Sequence, residues 1–312
     1  PSSVSKIAFA DSKAATWGTP ASIYSVVING ATNNEVSFGS SATGLTATQL
    51  SQVSLNGTVP FISSSGELYI TVTNSTFNGG GGDSLWSNAS NWSAGIPTVD
   101  NAQIIVIKDL VVDSDKTVSQ IKNNGNSDTS VKITATDGSK LTVTGADNAS
   151  GNAIAQPFQN NKVGSSFIFD LPVIFDSDAS QKILYFTKGA ANDITFTSSL
   201  TLNDPLSIQG INNTHALNLN GSLLGSGNLI FSTKAQAFFG ATYDGSLHTG
   251  DIISSGKKVK IVSRVSDDGT FLASANTIDI QEDEDVTIII DKGVNTLKAV
   301  SYTHLTLPTI YS

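Results

Sequence analysis

Residues 200–227 read LTLNDPLSIQGINNTHALNLNGSLLGSG, and this stretch decides the fold. The pattern L-x-L-N-x-x-L-x-x-x-G begins at Leu200 and begins again at Leu217, an offset of 17 residues. Leucines at alternate positions point to one side of a strand, and Asn and Gly suit a tight corner. Repetition of such a unit predicts successive coils of a parallel β-helix, each stacked on the one below.

Strand-like runs extend this prediction to the rest of the chain. They are rich in Ile, Val, Thr and Phe, they are bounded by Gly, Asn, Asp and Pro, and in the second half they start about every 8–12 residues. They cover residues 23–28, 68–73, 104–112, 140–144, 183–186, 194–196, 216–219, 258–262 and 286–290. The fold class is therefore all-β, with a right-handed parallel β-helix preceded by a small β unit. Tandem β-sandwiches are the alternative, and they would show antiparallel pairs and a break near residue 200.

One short helix is predicted in the small N-terminal unit. Thr46 and Gln49 have the spacing of a capping box and precede the apolar Leu50 and Val53, so a helix is expected over about residues 46–52.

Composition excludes several functional classes. The chain of 312 residues has 17 Lys and Arg against 26 Asp and Glu, a net charge of −9, so a nucleic-acid partner is not expected. It has no cysteine, which excludes disulfides and thiolate metal sites. No apolar run approaches the roughly 18 residues that a membrane-spanning helix needs.

The four glycines at 79–82 predict a domain boundary, because consecutive glycines leave the backbone free and supply no side chain to pack. The predicted organisation is a preceding β module over residues 1–77, a linker over 78–85 and a solenoid over 86–299. Residues 300–312 are predicted to be a non-native tail. Ser301 to Thr309 match the translation of a sequencing adapter, and the chain begins at Pro1 without any Met, so we expect a metagenomic fragment of a longer reading frame.

Residues 85–106 read LWSNASNWSAGIPTVDNAQIIV, two tryptophans among Ser, Asn, Gly and Pro before an apolar run. This segment resembles the W-x-x-x-x-N-W-x-x-G-x-P openings of autotransporter-like and other bacterial surface-repeat proteins. Residues 38–57 resemble the end of such a module, and GSLLGSGNL at 221–229 resembles autotransporter-associated β repeats. The resemblance implies a passenger protein that is secreted or lies on the bacterial cell surface, associated with the outer membrane.

Four aromatic residues are the candidate ligand or cap residues: Trp86, Trp92, Tyr185 and Tyr243. Exposed together on one flat face, they would stack on sugar rings. The alternative is that the tryptophans cover the open first coil, because a repeat protein needs a cap at each end of its apolar core. The sequence favours the cap.

No cofactor and no metal is predicted, with calcium as the weaker alternative. Residues 78–85 come within one substitution of a calcium-binding nonapeptide but occur once, whereas such sites need tandem copies. Carboxylates that could supply calcium ligands cluster at Asp113 and Asp115, Asp176 and Asp178, Asp267 and Asp268, and 282–285. Without the tail only His215 and His248 remain, and neither lies in a catalytic or zinc-binding motif.

The predicted function is that of a non-enzymatic stalk or adhesin, whose partners would be glycans or a host or neighbouring cell surface. One alternative is a carbohydrate-binding module that uses exposed aromatics. The other is a polysaccharide-degrading β-helix enzyme, for which Asp170, Asp176 and Asp178 are the candidate carboxylates.

Overall fold

A computed structural model gives the fold. The residues that it describes are 7–15, 17, 26–28, 35–55, 60–69, 73–97, 100, 102–124, 130–136, 138–145, 156–161, 164–177, 182–186, 193–209, 216–232, 234–255, 259–265, 271, 278–280, 287–290 and 300–302. The chain forms two compact units, Pro1–Val72 and Thr73–Ser312.

The first unit is a small β structure with one short helix. Its elements are β1 Ile7–Phe9, β2 Val26–Ile28, β3 Val36–Phe38, α1 Ala47–Leu50, β4 Val53–Leu55, β5 Phe61–Ile62 and β6 Leu68–Tyr69. Strands β1 and β3 pair in parallel, as do β2 and β4, while β5 and β6 form an antiparallel pair. A small core holds the unit together, formed by Val36, Phe38, Leu45, Val53, Leu55 and Leu68.

The predicted capping box is confirmed. The Gln49 N–H donates to Thr46 Oγ1 at 3.2 Å, and the Thr46 N–H donates to Gln49 Oε1 at 2.7 Å. The helix that this box caps is one turn long, Ala47–Leu50, and ends shortly before β4. Gln49 also donates from Nε2 to the carbonyls of Ser12 and Ala15, which ties the helix to the N-terminal segment.

The second unit begins with strands that follow one another at short intervals. They are β7 Asn74–Phe77, β8 Gln103–Val106, β9 Leu110–Val112, β10 Lys116–Val118, β11 Gln120–Asn123, β12 Val131–Ala135, β13 Leu141–Val143, β14 Phe158–Asn160, β15 Ser166–Asp170 and β16 Val173–Phe175. A single 3₁₀ turn, Ala89–Asn91, lies between β7 and β8.

The same pattern continues through the rest of the unit. The remaining strands are β17 Lys182–Phe186, β18 Asp193–Phe196, β19 Leu200–Leu202, β20 Leu206–Gln209, β21 Ala216–Leu219, β22 Leu223–Gly225, β23 Leu229–Phe231, β24 Gln236–Phe239, β25 Ile252–Ser254, β26 Lys260–Ser263, β27 Ile278–Ile280, β28 Thr287–Ile290 and β29 Val300–Tyr302.

These strands form a β-solenoid of about eight turns, which confirms the predicted fold class. They lie in three parallel sheets of ten, eight and five strands, and strands of the same sheet come from successive coils. The ten-stranded sheet runs from β7 to β29, the eight-stranded sheet from β9 to β28, and the five-stranded sheet from β10 to β22. Because the described pairs of this unit's strands are parallel and continue past residue 200, tandem sandwiches are excluded.

The core consists of columns of apolar side chains that repeat once per coil. Each position is aligned by backbone pairing with the equivalent position of the next coil. In the ten-stranded sheet the column contains Ile104, Ile121, Phe158, Leu184, Ile208 and Phe231, and in the eight-stranded sheet Leu110, Ile133, Phe169, Phe196, Leu219 and Phe239. All are buried, and burial of each stabilises the fold by about 1.5–3 kcal/mol.

The 17-residue offset is not the length of a coil. Leu200 of β19 pairs with Leu223 of β22, an offset of 23 residues, and Leu206 pairs with Leu229 at the same offset. Leu217 instead pairs with Ile194 in the eight-stranded sheet. The sequence match linked two different sides of the solenoid, because each side places apolar residues inward at alternate positions.

A buried asparagine ladder links two coils at a corner. Asn123 Nδ2 donates to Asn160 Oδ1 at 3.1 Å, and Asn160 Nδ2 donates to the carbonyls of Ser165 and Asp193. Both asparagines are fully buried. The sequence signal for this pair is the Asn-Asn doublet at 123–124 and again at 160–161.

The division of the chain differs from the predicted one at both ends of the solenoid. The break falls after Val72, so β7 and the glycine segment belong to the second unit rather than to a module end and a linker. At the other end, β29 of the predicted tail pairs in parallel with β27. Residues 303–312 lie outside the described residues.

Candidate functional site

Two of the four candidate aromatics meet at the first coil of the solenoid. The rings of Trp86 and Trp92 pack edge to face with centroids 4.8 Å apart, and Phe77 contacts Trp92 at 5.2 Å. Trp86 is 1% exposed and Trp92 is 5% exposed. Trp92 Nε1 donates a 2.8 Å hydrogen bond to the Trp86 carbonyl. The two rings are thus packed into the core and present no flat face to solvent.

The backbone around these rings forms an incomplete coil on top of the first complete one. Strand β7 pairs in parallel with β8 at the end of the ten-stranded sheet. Further on, the Trp86 N–H donates to the Val111 carbonyl at 2.9 Å, and the Val111 N–H donates to Ser84 at 2.8 Å. The segment therefore adds pairing to the first strands of two sheets while its aromatic rings cover the apolar columns below. We interpret it as the N-terminal cap.

The glycine segment is held in place by Asn91, a fully buried residue. Asn91 Oδ1 accepts from the Gly81 N–H at 2.8 Å, and its Nδ2 donates to Asp83 Oδ1 and to the Leu85 carbonyl. A Cβ on Gly81 would lie 2.5 Å from Asn88 Nδ2 and 2.8 Å from Asn91 Oδ1, so a larger residue there would displace these two amide groups. The segment is an ordered part of the cap because distant side chains satisfy its backbone.

Asp83, the carboxylate of the calcium-like nonapeptide, is used as a hydrogen-bond acceptor within this network. It accepts from Asn91 Nδ2, Asn88 Nδ2 and the Leu85 N–H, and these bonds lower the pKa of its carboxyl below the ordinary value. Its oxygens are thus occupied by amide donors in this structure.

Tyr243 lies in a second buried aromatic cluster. It is 2% exposed and contacts Phe239 at 4.8 Å, while Phe271 contacts Phe239 at 4.7 Å. Its hydroxyl is buried and finds no hydrogen-bond partner among the described residues, and burial raises the pKa of this phenol. The side chain of the fourth candidate, Tyr185, lies outside the described part of the structure.

The structure does not bring together the described carboxylates that were candidates for catalysis. They lie on different sheets or accept hydrogen bonds from neighbouring side chains. Asp170, at the end of β15, forms an ion pair with Lys132 at 2.6 Å and accepts from Thr197 Oγ1, so its pKa is lowered, first by the Lys132 hydrogen bond. Asp176 is exposed and follows β16 of the five-stranded sheet.

The other acidic pair that the structure describes is also engaged locally. Asp113 accepts from Ser87 Oγ, and Asp115 accepts from the Lys140 N–H. Asp178, Asp267, Asp268 and residues 282–285 lie outside the described residues. Within the described ranges no group of three or more His, Asp or Glu side chains has the geometry to hold a metal ion.

His248 is part of the core. It is 1% exposed, and its backbone bridges in parallel to Gly225, which places it one coil beyond the column of Phe175, Leu202 and Gly225. Burial lowers its pKa, against the smaller opposite effect of hydrogen bonding with the backbone of Leu224 and Gly225. His215 lies outside the described residues.

A small cavity, missed by the sequence analysis, opens on the outer face of the ten-stranded sheet close to the cap. Its volume is about 150 Å³, and it is lined by Asn74, Ser75, Thr76, Ser93, Gln103, Ile105 and Lys122. These residues come from β7, β8, β11 and the segment after the 3₁₀ turn. No sequence motif joins them, because they become neighbours only through the strand register.

Comparisons of this chain with known protein families, curated proteins and solved structures find no match. The described residues contain no helix of the length and apolar character that spanning a membrane would need.

Proposed function

We propose that this chain is part of a bacterial surface-exposed passenger protein with a structural or adhesive role. The observation that carries the proposal is the stacking of about eight turns in three parallel sheets. Neighbouring coils lie ~4.8 Å apart, so the stack spans on the order of 40 Å. Stability in such a protein increases coil by coil, so a long spacer does not need one large core.

The cap supports the same proposal. Trp86 and Trp92 cover the apolar columns where the first coil would otherwise expose them. A solenoid whose apolar end is covered in this way can extend from a cell surface into solvent. The rings themselves are unavailable for stacking on sugars in this structure, so a carbohydrate-binding module built on Trp86, Trp92 and Tyr243 is disfavoured.

The polysaccharide-degrading alternative depends on carboxylates that converge in a groove. Asp170 is committed to Lys132 and Thr197 on the eight-stranded sheet, and Asp176 follows a strand of another sheet. These positions favour the non-enzymatic role.

Surface labelling tests the proposal. Antibodies against residues 73–302 should stain intact cells that express the full reading frame, and brief protease treatment of those cells should remove the signal. An antibody against a cytoplasmic protein is the control for cell integrity. Staining that requires permeabilised cells would contradict a surface location. For the adhesive role, the purified chain should compete with such cells for attachment to a glycan-coated or cell-coated surface.

A further inference from the structure

Lys122 is a half-buried cation on the outer face of the ten-stranded sheet. It lies on β11 in register with Ile105 of β8 on one side and Gln159 of β14 on the other. The described residues offer it neither an ion pair nor a hydrogen bond. Its partial burial lowers the pKa of the ammonium group, because a charge that loses water without gaining a partner is destabilised. An anionic group in the cavity would remove this cost.

The rest of the cavity offers hydrogen bonds of both kinds. Ser93 Oγ accepts from the Thr76 N–H at 3.0 Å, which leaves the hydroxyl proton of Ser93 free to be donated. Gln103 donates from Nε2 to Gln120 Oε1, so Gln103 Oε1 stays available as an acceptor. Asn74 adds a further exposed amide at the rim. Ile105 supplies the apolar part of the lining.

We propose that the cavity binds an acidic saccharide, with Lys122 pairing with the carboxylate of a uronic acid. Thr76, Ser93, Gln103 and Asn74 would hydrogen-bond to the ring hydroxyls, and Ile105 would contact the apolar face of the ring. The inference rests on the proposed adhesive function, to which it gives a ligand class. The abundance of hydroxyl and amide groups favours a saccharide over an acidic peptide. The volume does too, since 150 Å³ is well below the ~300–1,000 Å³ of a drug-sized pocket and suits one ring.

The test is calorimetric titration of the whole chain with three probes: trigalacturonate, neutral galactotriose and triglutamate. We expect trigalacturonate to bind, with affinity that falls as salt is added, and both other probes to bind at least about tenfold more weakly. Lys122→Met keeps the aliphatic stem and removes the charge, and it should weaken trigalacturonate binding at least about tenfold. Lys108→Met, at an exposed lysine near the end of β8, is the matched control and should bind like the wild type.

Four results would overturn the proposal: no binding of trigalacturonate, equal binding of galactotriose, equal binding of triglutamate, or unchanged binding by Lys122→Met. A second variant, Lys122→Gln, and far-UV circular dichroism of each variant separate loss of binding from loss of fold. Surface labelling reports only where the chain lies, and titration reports only what it binds. Failure of the ligand assignment is therefore distinguishable from failure of the proposed surface role.

Discussion

Trp92 Nε1 donates a 2.8 Å hydrogen bond to the backbone carbonyl of Trp86, and the two rings pack edge to face above the first coil. The bond fixes the position of one ring relative to the backbone that carries the other. It also satisfies a carbonyl that the rings themselves shield from water. The indole N–H of Trp86, by contrast, is buried without a partner among the described residues.

This difference predicts unequal effects of two similar substitutions. Trp92→Phe and Trp86→Phe each replace an indole of the cap by a smaller phenyl ring, but only Trp92→Phe removes the hydrogen bond to the buried Trp86 carbonyl. Trp92→Phe should therefore lower the free energy of unfolding by about 1 kcal/mol more than Trp86→Phe does. Urea titrations followed by circular dichroism measure both values. Equal losses, or a larger loss for Trp86→Phe, would contradict this role of the hydrogen bond.

The asparagine ladder predicts a second contrast. Asn123→Ala removes the buried hydrogen bond that Asn123 Nδ2 donates to Asn160 Oδ1 and should cost about 2 kcal/mol of unfolding free energy. Asn124→Ala removes a bond of similar length, 3.0 Å, to Asn161, but Asn124 is exposed and water can replace it. The free energy of unfolding of this control variant should stay within about 0.5 kcal/mol of the wild-type value in the same denaturation assay.

Tyr243→Phe should increase stability. The substitution removes a buried hydroxyl that has no described partner and keeps the ring contacts with Phe239 and Phe271. Because burial of an unsatisfied hydroxyl costs about 1–3 kcal/mol, we expect a gain of about 1 kcal/mol, seen as a higher melting temperature in calorimetry. Phe239→Leu, which removes an aromatic ring from the same cluster, should lower the melting temperature. A destabilised Tyr243→Phe variant would indicate that the hydroxyl is hydrogen-bonded in solution.

His248 predicts a loss of stability in mild acid. Its pKa is lowered in the folded protein, whereas in the unfolded chain it stays near the ordinary value of 6.5. The contribution of neutral His248 to the free energy of unfolding is therefore fully present above pH 6.5. It decreases as the pH falls below that value, because the unfolded chain then binds a proton at this histidine and the folded protein does not. The slope should approach about 1.4 kcal/mol per pH unit until the folded-state pKa is reached.

Denaturation of the wild type and of His248→Gln between pH 7.5 and 5 measures this effect. Carboxylates contribute equally to both proteins, so the difference between the two curves isolates His248. Parallel curves would show that His248 is not buried in its neutral form.

The inward columns of the solenoid were predictable because their pattern is local. Buried apolar residues alternate with less buried ones along many strands, and turn residues follow them, as at Leu200, Leu202 and Asn203. The coil length was not predictable in the same way. Leu217 and Leu219 repeat the spacing of Leu200 and Leu202 although they lie on another side, so a single sequence offers two offsets and only backbone pairing selects 23.

The cap and the cavity could not be predicted from the sequence for a different reason. Residues 78–85 have the composition of a linker, and the side chain that orders them, Asn91, is buried by folding and is not marked by any motif. The cavity joins Asn74, Gln103 and Lys122 from three strands, and a shift of register by one residue would turn these side chains to the core. Sites of this kind depend on alignment between coils, which composition does not record.

The spacing between aligned residues is 23 from Leu200 to Leu223 but 37 from Ile121 to Phe158, and both pairs keep their columns in register. A change in the number of residues between two aligned strands is therefore not transmitted to the packing of their apolar columns. We expect peptides inserted between strands β11 and β12 to leave the core unchanged. The outer surface of the solenoid can in this way diversify while its interior stays constant.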